Sequence, residues 1–235
     1  MKKLLSIYMY TVGIIMILII FLTQLTLRIF FKPQKTFPII SFLFRLTFKL
    51  LFIKLEVNYE SDIPKDKSYI FMANHTSFWD VFLAGATSPV YVSALEADSH
   101  FRWPIYGLII KAYGQIPINR SNPRASWNSY LKAIEKIHKE KISIIVFPEG
   151  TRSRDGRIQK FKKIPFKFVK EAKVDLVPVG YINVNSLSPM TNFWIQPTKI
   201  KVNFGTIIPK EKIEQLTVEE LQTYVYERIK ILSEQ

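Results

Sequence analysis

A histidine and an aspartate five positions apart, His75 and Asp80, lie in the stretch NHTSFWD at residues 74–80, directly after the apolar run SYIFMA. A neutral imidazole projecting from the turn after a strand can accept a proton from a hydroxyl, provided its other ring nitrogen is held by an acceptor. Asp80 is the obvious holder. The same residues also fit a helix-capping pattern, Ser77-Phe-Trp-Asp80, in which the carboxylate serves backbone amides. On the local pattern both roles stand, and one carboxylate at the start of a helix can fill both.

Two further stretches offer groups suited to an anion. FPEGTRS (147–153) follows the run ISIIVF, and its proline and glycine force a sharp loop where α/β proteins bind ligands. There Arg152 presents a planar fork for a phosphate, and Thr151, Ser153 and the loop amides can add donors. The alternative at this loop is a surface Glu149–Arg152 ion pair worth under about 1 kcal/mol. GQIPINR (114–120) delivers Arg120, either a second phosphate ligand or a solvated loop arginine. In VPV (177–179) the proline suits a strand end or edge. His138, among Lys136, Lys139 and Glu140, reads as solvated, and His100 in ADSHFRWP lacks a partner pattern. No metal-ligand spacing, Walker loop or dinucleotide fingerprint occurs.

These groups need a frame, and the apolar runs supply one. SYIFMA (68–73), ISIIVF (142–147), DLVPVGYINV (175–184) and KIKVNFGTII (199–208) are short and rich in β-branched or aromatic residues, as buried strands are. Between them, residues 123–140 predict a helix: Asn122 and Pro123 open it, and Trp127, Leu131, Ile134 and Ile137 form a stripe. A last helix opens on the capping box Thr217-Val-Glu-Glu220 and turns Leu221, Val225, Ile229 and Leu232 inward. The alternation predicts an α/β fold, a mixed central sheet flanked by helices.

The chain has 235 residues and no cysteine, which excludes disulfides, thiolate metal sites and a cysteine nucleophile. Its formal charge of +14 is concentrated: residues 1–57 carry +7 and residues 152–173 carry the other +7. A nucleic-acid binder spreads its bases over a folded face, whereas here one block flanks an apolar segment and the other follows a loop. Leu4 to Leu27 is uncharged over 24 residues. As a helix it would run roughly 36 Å, enough to cross a hydrocarbon core of about 30 Å. From Phe37 a second apolar stretch places Arg45, Lys49 and Glu56 on one side, which predicts a helix at the membrane interface. The alternative is a core helix with a solvated basic edge. The division expected is membrane-anchoring helices over 1–57 and a catalytic domain over 58–235.

The ordered set NHTSFWD, GQIPINR, FPEGTRS and VPV resembles the four blocks of the glycerolipid and lysophospholipid acyltransferase superfamily, within it the bacterial 1-acyl-sn-glycerol-3-phosphate acyltransferases. The resemblance implies His75 as general base and Asp80 as its support. It implies glycerophosphate binding at Arg120 and at Glu149, Gly150, Thr151 and Arg152, with Lys162 and Lys163 able to approach a phosphate. The run Phe161-Lys162-Lys163-Ile164-Pro165 departs from the family by carrying isoleucine and proline where a glycine is common. The reaction implied is direct acyl transfer to the sn-2 hydroxyl of lysophosphatidic acid, with acyl-CoA or an acyl carrier protein as donor substrate and no cofactor or metal. Partners would be membrane lipid and the donor, not nucleic acid. The location implied is the cell membrane, with the active domain on the cytoplasmic face. Other lysophospholipid acceptors, or a membrane-anchored basic adaptor without chemistry, are the alternatives.

Overall fold

The computed structural model describes residues 2–119, 121–187 and 195–234. Two helices come first, α1 (Lys2–Leu27) and α2 (Pro33–Leu50), followed by β1 (Lys54–Tyr59) and β2 (Tyr69–Ala73). Then come α3 (Asp80–Thr87), β3 (Val92–Ala97), a 3₁₀ turn (Asp98–Arg102), α4 (Pro104–Tyr113), β4 (Ile116–Ile118), α5 (Pro123–Glu140) and β5 (Ser143–Val146). The chain closes with α6 (Lys163–Ala172), β6 (Asp175–Ile182), α7 (Val184–Leu187), β7 (Lys199–Phe204), α8 (Lys210–Gln215) and α9 (Val218–Glu234).

Among the described residues the seven strands form one sheet in the order β1-β7-β6-β2-β5-β3-β4. All neighbours are parallel except β6 and β7. The sheet is therefore mixed, with helices packed on it, as expected. Because β6, β2, β5, β3 and β4 run the same way, their carboxyl ends share one edge, where an open α/β sheet holds its ligands. The central strand β2 is buried at every position, so its exit at Asn74 is rigidly placed.

Pro178 sits inside β6, not at an end or edge, and faces Met72 of β2. Its missing N–H costs the sheet little, because β7 leaves the ladder there. The antiparallel pairs run from Val179↔Phe204 to Ile182↔Lys201, and the next contact on that side is the bridge Leu176↔Ile208. Within that gap Gly205 N–H donates to the Pro178 carbonyl at 2.8 Å.

The two N-terminal helices share the core with the sheet. Met9, Met16 and Ile20 of α1 are buried, and the Ser6 hydroxyl donates to the Ile195 carbonyl at 3.3 Å. The opposite face leaves Leu4, Ile7, Ile14, Leu18 and Leu22 exposed. By length and composition α1 could cross a membrane. Helix α2 buries Phe37, Ile40, Phe44 and Phe48, while Ile39 and Phe42 stay exposed. It is thus a core helix with a basic edge, and Glu56 belongs to β1, which runs across residue 57. In α5 the buried stripe is Tyr130, Ala133 and Ile137, and Leu131 points outward. Trp127 and Ile134 of the predicted stripe pack against the same core, so Leu131 alone leaves it, its place taken by Tyr130 and Ala133 on the adjoining positions.

Candidate active site

His75 follows β2, and its peptide is clamped on both sides. The His75 N–H donates to Glu149 Oε1 at 2.9 Å, and Ser153 N–H donates to the His75 carbonyl at 2.8 Å. One residue earlier, Asn74 exchanges two bonds with Tyr181 of β6, at 2.9 and 2.8 Å. The turn carrying the histidine is thereby tied to β6 on one side and to the loop after β5 on the other. The imidazole stacks on Phe147, with ring centres 4.2 Å apart and planes 16° from parallel.

The ring meets Asp80 through Nδ1, 2.7 Å from Oδ2, and the same oxygen accepts Thr76 N–H at 2.7 Å and Ser77 N–H at 2.9 Å. A carboxylate oxygen only accepts, so Nδ1 is the donor in this contact, and in the neutral ring the lone pair is then on Nε2. Asp80, the first residue of α3, therefore ties down the turn that leads into the helix and orients the imidazole with one atom. The carboxylate is fully buried, while the His75 side chain keeps 18% exposure. Burial pushes the Asp80 carboxyl above the usual carboxylate range, opposed by the bonds from His75, Ser77 and Thr76.

The histidine opens on a cavity of about 1620 Å³ whose lining combines two contrasting kinds of side chain. Phe44, Phe82, Ile110, Tyr113 and Ile118 supply apolar lining, and Arg152, Arg154, Arg157 and Lys162 supply cationic lining. Gly150 has φ +75°, and a Cβ there would come within 2.7 Å of Lys162 Nζ, so the bare glycine lets the lysine lie across the loop. Lys163, by contrast, pairs with Glu219 at 2.8 Å on the surface and does not line the cavity. Arg120 lies outside the described residues. Among the described residues no group of His, Cys, Asp and Glu is placed to hold a metal ion.

A family model described as Acyltransferase matches residues 54–182, more than half of the chain. This chain belongs to the Acyltransferase family. It is 30% identical over 159 residues, 68% of its length, to a 1-acyl-sn-glycerol-3-phosphate acyltransferase of Limnanthes douglasii, of which the match spans 56%. It is 28% identical over 179 residues to the protein of that name from Borreliella burgdorferi, covering 75% of this chain and 70% of the relative. The chain thus spans little more than half of the Limnanthes relative. The crystal structure of the 1-acyl-sn-glycerophosphate (LPA) acyltransferase PlsC from Thermotoga maritima superposes with TM-score 0.85 at 26% identity, over 100% of this chain and 97% of that one.

Glu149 of this acyltransferase-family chain is 2% exposed and faces His75, not the cationic mouth. A carboxylate is a poor phosphate ligand, and its geometry is that of a brace. Burial pushes its carboxyl from 4.5 up to about 7, against N–H groups of His75 and Gln159, with nearby Asp80 adding to the rise. Folded Glu149 thus holds a proton that the unfolded chain releases. Its contribution to stability is complete below about pH 4.5 and lost as the pH rises through about 7. Glu149→Gln keeps an acceptor for the His75 amide and removes this titration. Urea denaturation at about pH 5 and about pH 8 should show wild type losing stability relative to the variant at the higher pH. An equal gap at both values would refute the shift.

A second histidine at the cavity wall, His100, has a partner that the sequence pattern around it did not suggest. His100 Nδ1 lies 2.5 Å from Glu96 Oε1, its ring packs on Trp103 at 4.5 Å, and Tyr106 donates to Glu96 at 3.4 Å. The spacing of four between Glu96 and His100 was a usable signal. Burial pushes the Tyr106 hydroxyl well above its ordinary range.

Proposed function

We propose that the chain transfers an acyl group from an acyl thioester to the sn-2 hydroxyl of 1-acyl-glycerol-3-phosphate, producing phosphatidic acid. The observation that carries this is the His75–Asp80 contact of 2.7 Å on a cavity lined by both apolar and cationic side chains. A lysophosphatidic acid is apolar at one end and doubly anionic at the other, and its reacting hydroxyl lies between them.

His75 Nε2 takes the hydroxyl proton as that oxygen attacks the thioester carbonyl. The tetrahedral intermediate collapses, the C–S bond breaks, and the imidazolium returns the proton to the departing thiolate. Asp80 holds the ring tautomer and favours the imidazolium by charge, in the manner of a serine hydrolase triad. Phe147 fixes the ring plane by stacking. Arg152 and Lys162 bind the phosphate and so set the hydroxyl against Nε2, and such positioning supplies up to roughly 7 to 11 kcal/mol in ideal cases. No acyl-enzyme is required. The donor is acyl-CoA or an acyl carrier protein, and the exposed face of α1 keeps the domain at the bilayer, with its active side toward the cytoplasm.

Purified protein supplied with one labelled acyl-CoA and a panel of lysolipids tests the assignment. Lysophosphatidic acid should be acylated first; acylation of only those lysolipids that bear a further head group would overturn it. Arg152→Ala should raise KM for the acceptor by roughly 10- to 100-fold, the worth of a charge-assisted bond, with a much smaller change for the donor. Equal losses for both substrates would make this arginine structural.

A further inference from the structure

A second, smaller cavity of about 360 Å³ lies where α2 turns into β1, and it shares no lining residue with the first. Arg45, Lys49 and Lys54 surround it, and Phe48, Ile53 and Leu55 give it an apolar floor. Three cations on so small a space repel one another unless an anion joins them. The surrounding protein does not supply one. Among the described residues neither Lys49 nor Lys54 forms an ion pair, and Arg45 is tethered only to neutral acceptors, Ser41 Oγ at 2.9 Å and the Ala86 carbonyl at 3.2 Å. Glu56, the acid next along the chain, is engaged by Lys199 at 2.5 Å and Lys201 at 4.0 Å.

The rim of this cavity has a different character. Phe52 is 61% exposed and stacks on Tyr8 of α1, ring centres 5.7 Å apart. Its φ is +57°, a backbone state that costs a bulky residue free energy and that here turns an aromatic ring outward. Leu50 beside it is also exposed, as are Leu4 and Ile7 on α1. An exposed aromatic ring at a cationic pit, stacked on the candidate membrane helix, fits a molecule with acyl chains and an anionic head.

We infer that Arg45, Lys49 and Lys54 form a binding site for the head group of an anionic glycerophospholipid of the surrounding membrane, distinct from the acyl-transfer site. Zwitterionic lipids are disfavoured, because their ammonium group would enter a pit already holding three positive charges. The site bears on the catalytic pair by packing: Phe44 of α2 meets Phe82 at 5.9 Å, and Phe48 of α2 meets Trp79, next to Asp80, at 6.0 Å.

The test uses the full chain in nonionic detergent, titrated with dioctanoyl phosphatidylglycerol, dioctanoyl phosphatidylcholine or sodium phosphate. Bound adducts are read by native mass spectrometry, and affinity by the concentration dependence of the thermal midpoint. Wild type is compared with Arg45→Ala/Lys49→Ala/Lys54→Ala and with a control of equal charge loss on α5, Lys132→Ala/Lys136→Ala/Lys139→Ala. The expected result is tighter binding of phosphatidylglycerol than of either other probe. Its affinity should weaken about fivefold per cation removed in the triple variant and stay unchanged in the control. Should the triple variant fold poorly, Lys49→Glu alone should produce a loss at least as large as one cation. Equal affinity for phosphatidylcholine, equal binding by triple variant and control, or phosphate binding as tightly as the lipid would each overturn the proposal.

Discussion

His75→Ala should lower turnover of a labelled acyl thioester by two to four orders of magnitude, the usual worth of a positioned general base. The loss should fall on kcat, since in the proposed reaction the imidazole meets the acceptor hydroxyl and neither the phosphate nor the acyl chain. Stability should change little. The ring keeps 18% exposure and contributes one of three N–H donors to Asp80, so its loss costs on the order of 1 kcal/mol, a shift of about 2 to 4 °C in Tm for a chain of this size. His75→Asn, whose amide can still donate to Asp80, should show the same catalytic loss with a smaller shift. Turnover near the wild-type rate in either folded variant would remove the histidine from the mechanism.

How much of this site was legible in the sequence depends on how local its physics is. β2, β5 and β6 were visible because a buried strand is largely apolar, β7 because its apolar residues alternate with lysines, and α9 because Thr217 and Glu220 form their capping bonds within four residues, Thr217 N–H to Glu220 at 2.7 Å. β3 and α4 escaped notice, since Val92–Ala97 carries polar residues and α4 leaves Ile105 and Leu108 exposed, blurring both periodicities. The course of α2 could not be read from its own pattern. A helix apolar nearly all round suits a bilayer or a core equally, and only the packing of Phe44 and Phe48 against α3 decides. Glu149 was grouped with phosphate ligands because its neighbours Gly150, Thr151 and Arg152 suit that role. Its partner is the amide of a residue 74 positions away, which no local pattern encodes.

The opening ambiguity over Asp80, orienting partner or helix cap, is resolved chemically by comparing two substitutions. Asp80→Asn can keep an uncharged oxygen where Oδ2 now accepts three N–H groups, so the start of α3 should survive with a modest loss of stability. It removes the negative charge that favours the imidazolium, and turnover should fall by roughly three to four orders of magnitude, as for the corresponding change in a catalytic triad. Asp80→Ala removes the acceptor itself. With a fully buried site, the amides of Thr76 and Ser77 would lose their partner at about 1 to 3 kcal/mol each, enough to lower Tm by several degrees or more. If Asp80 served only as a cap, the asparagine variant would turn over at nearly the wild-type rate, and the alanine variant would lose activity only in step with folded protein. Measuring kcat per folded molecule for both variants, with Tm alongside, separates a carboxylate that acts through His75 from one that merely ends a turn.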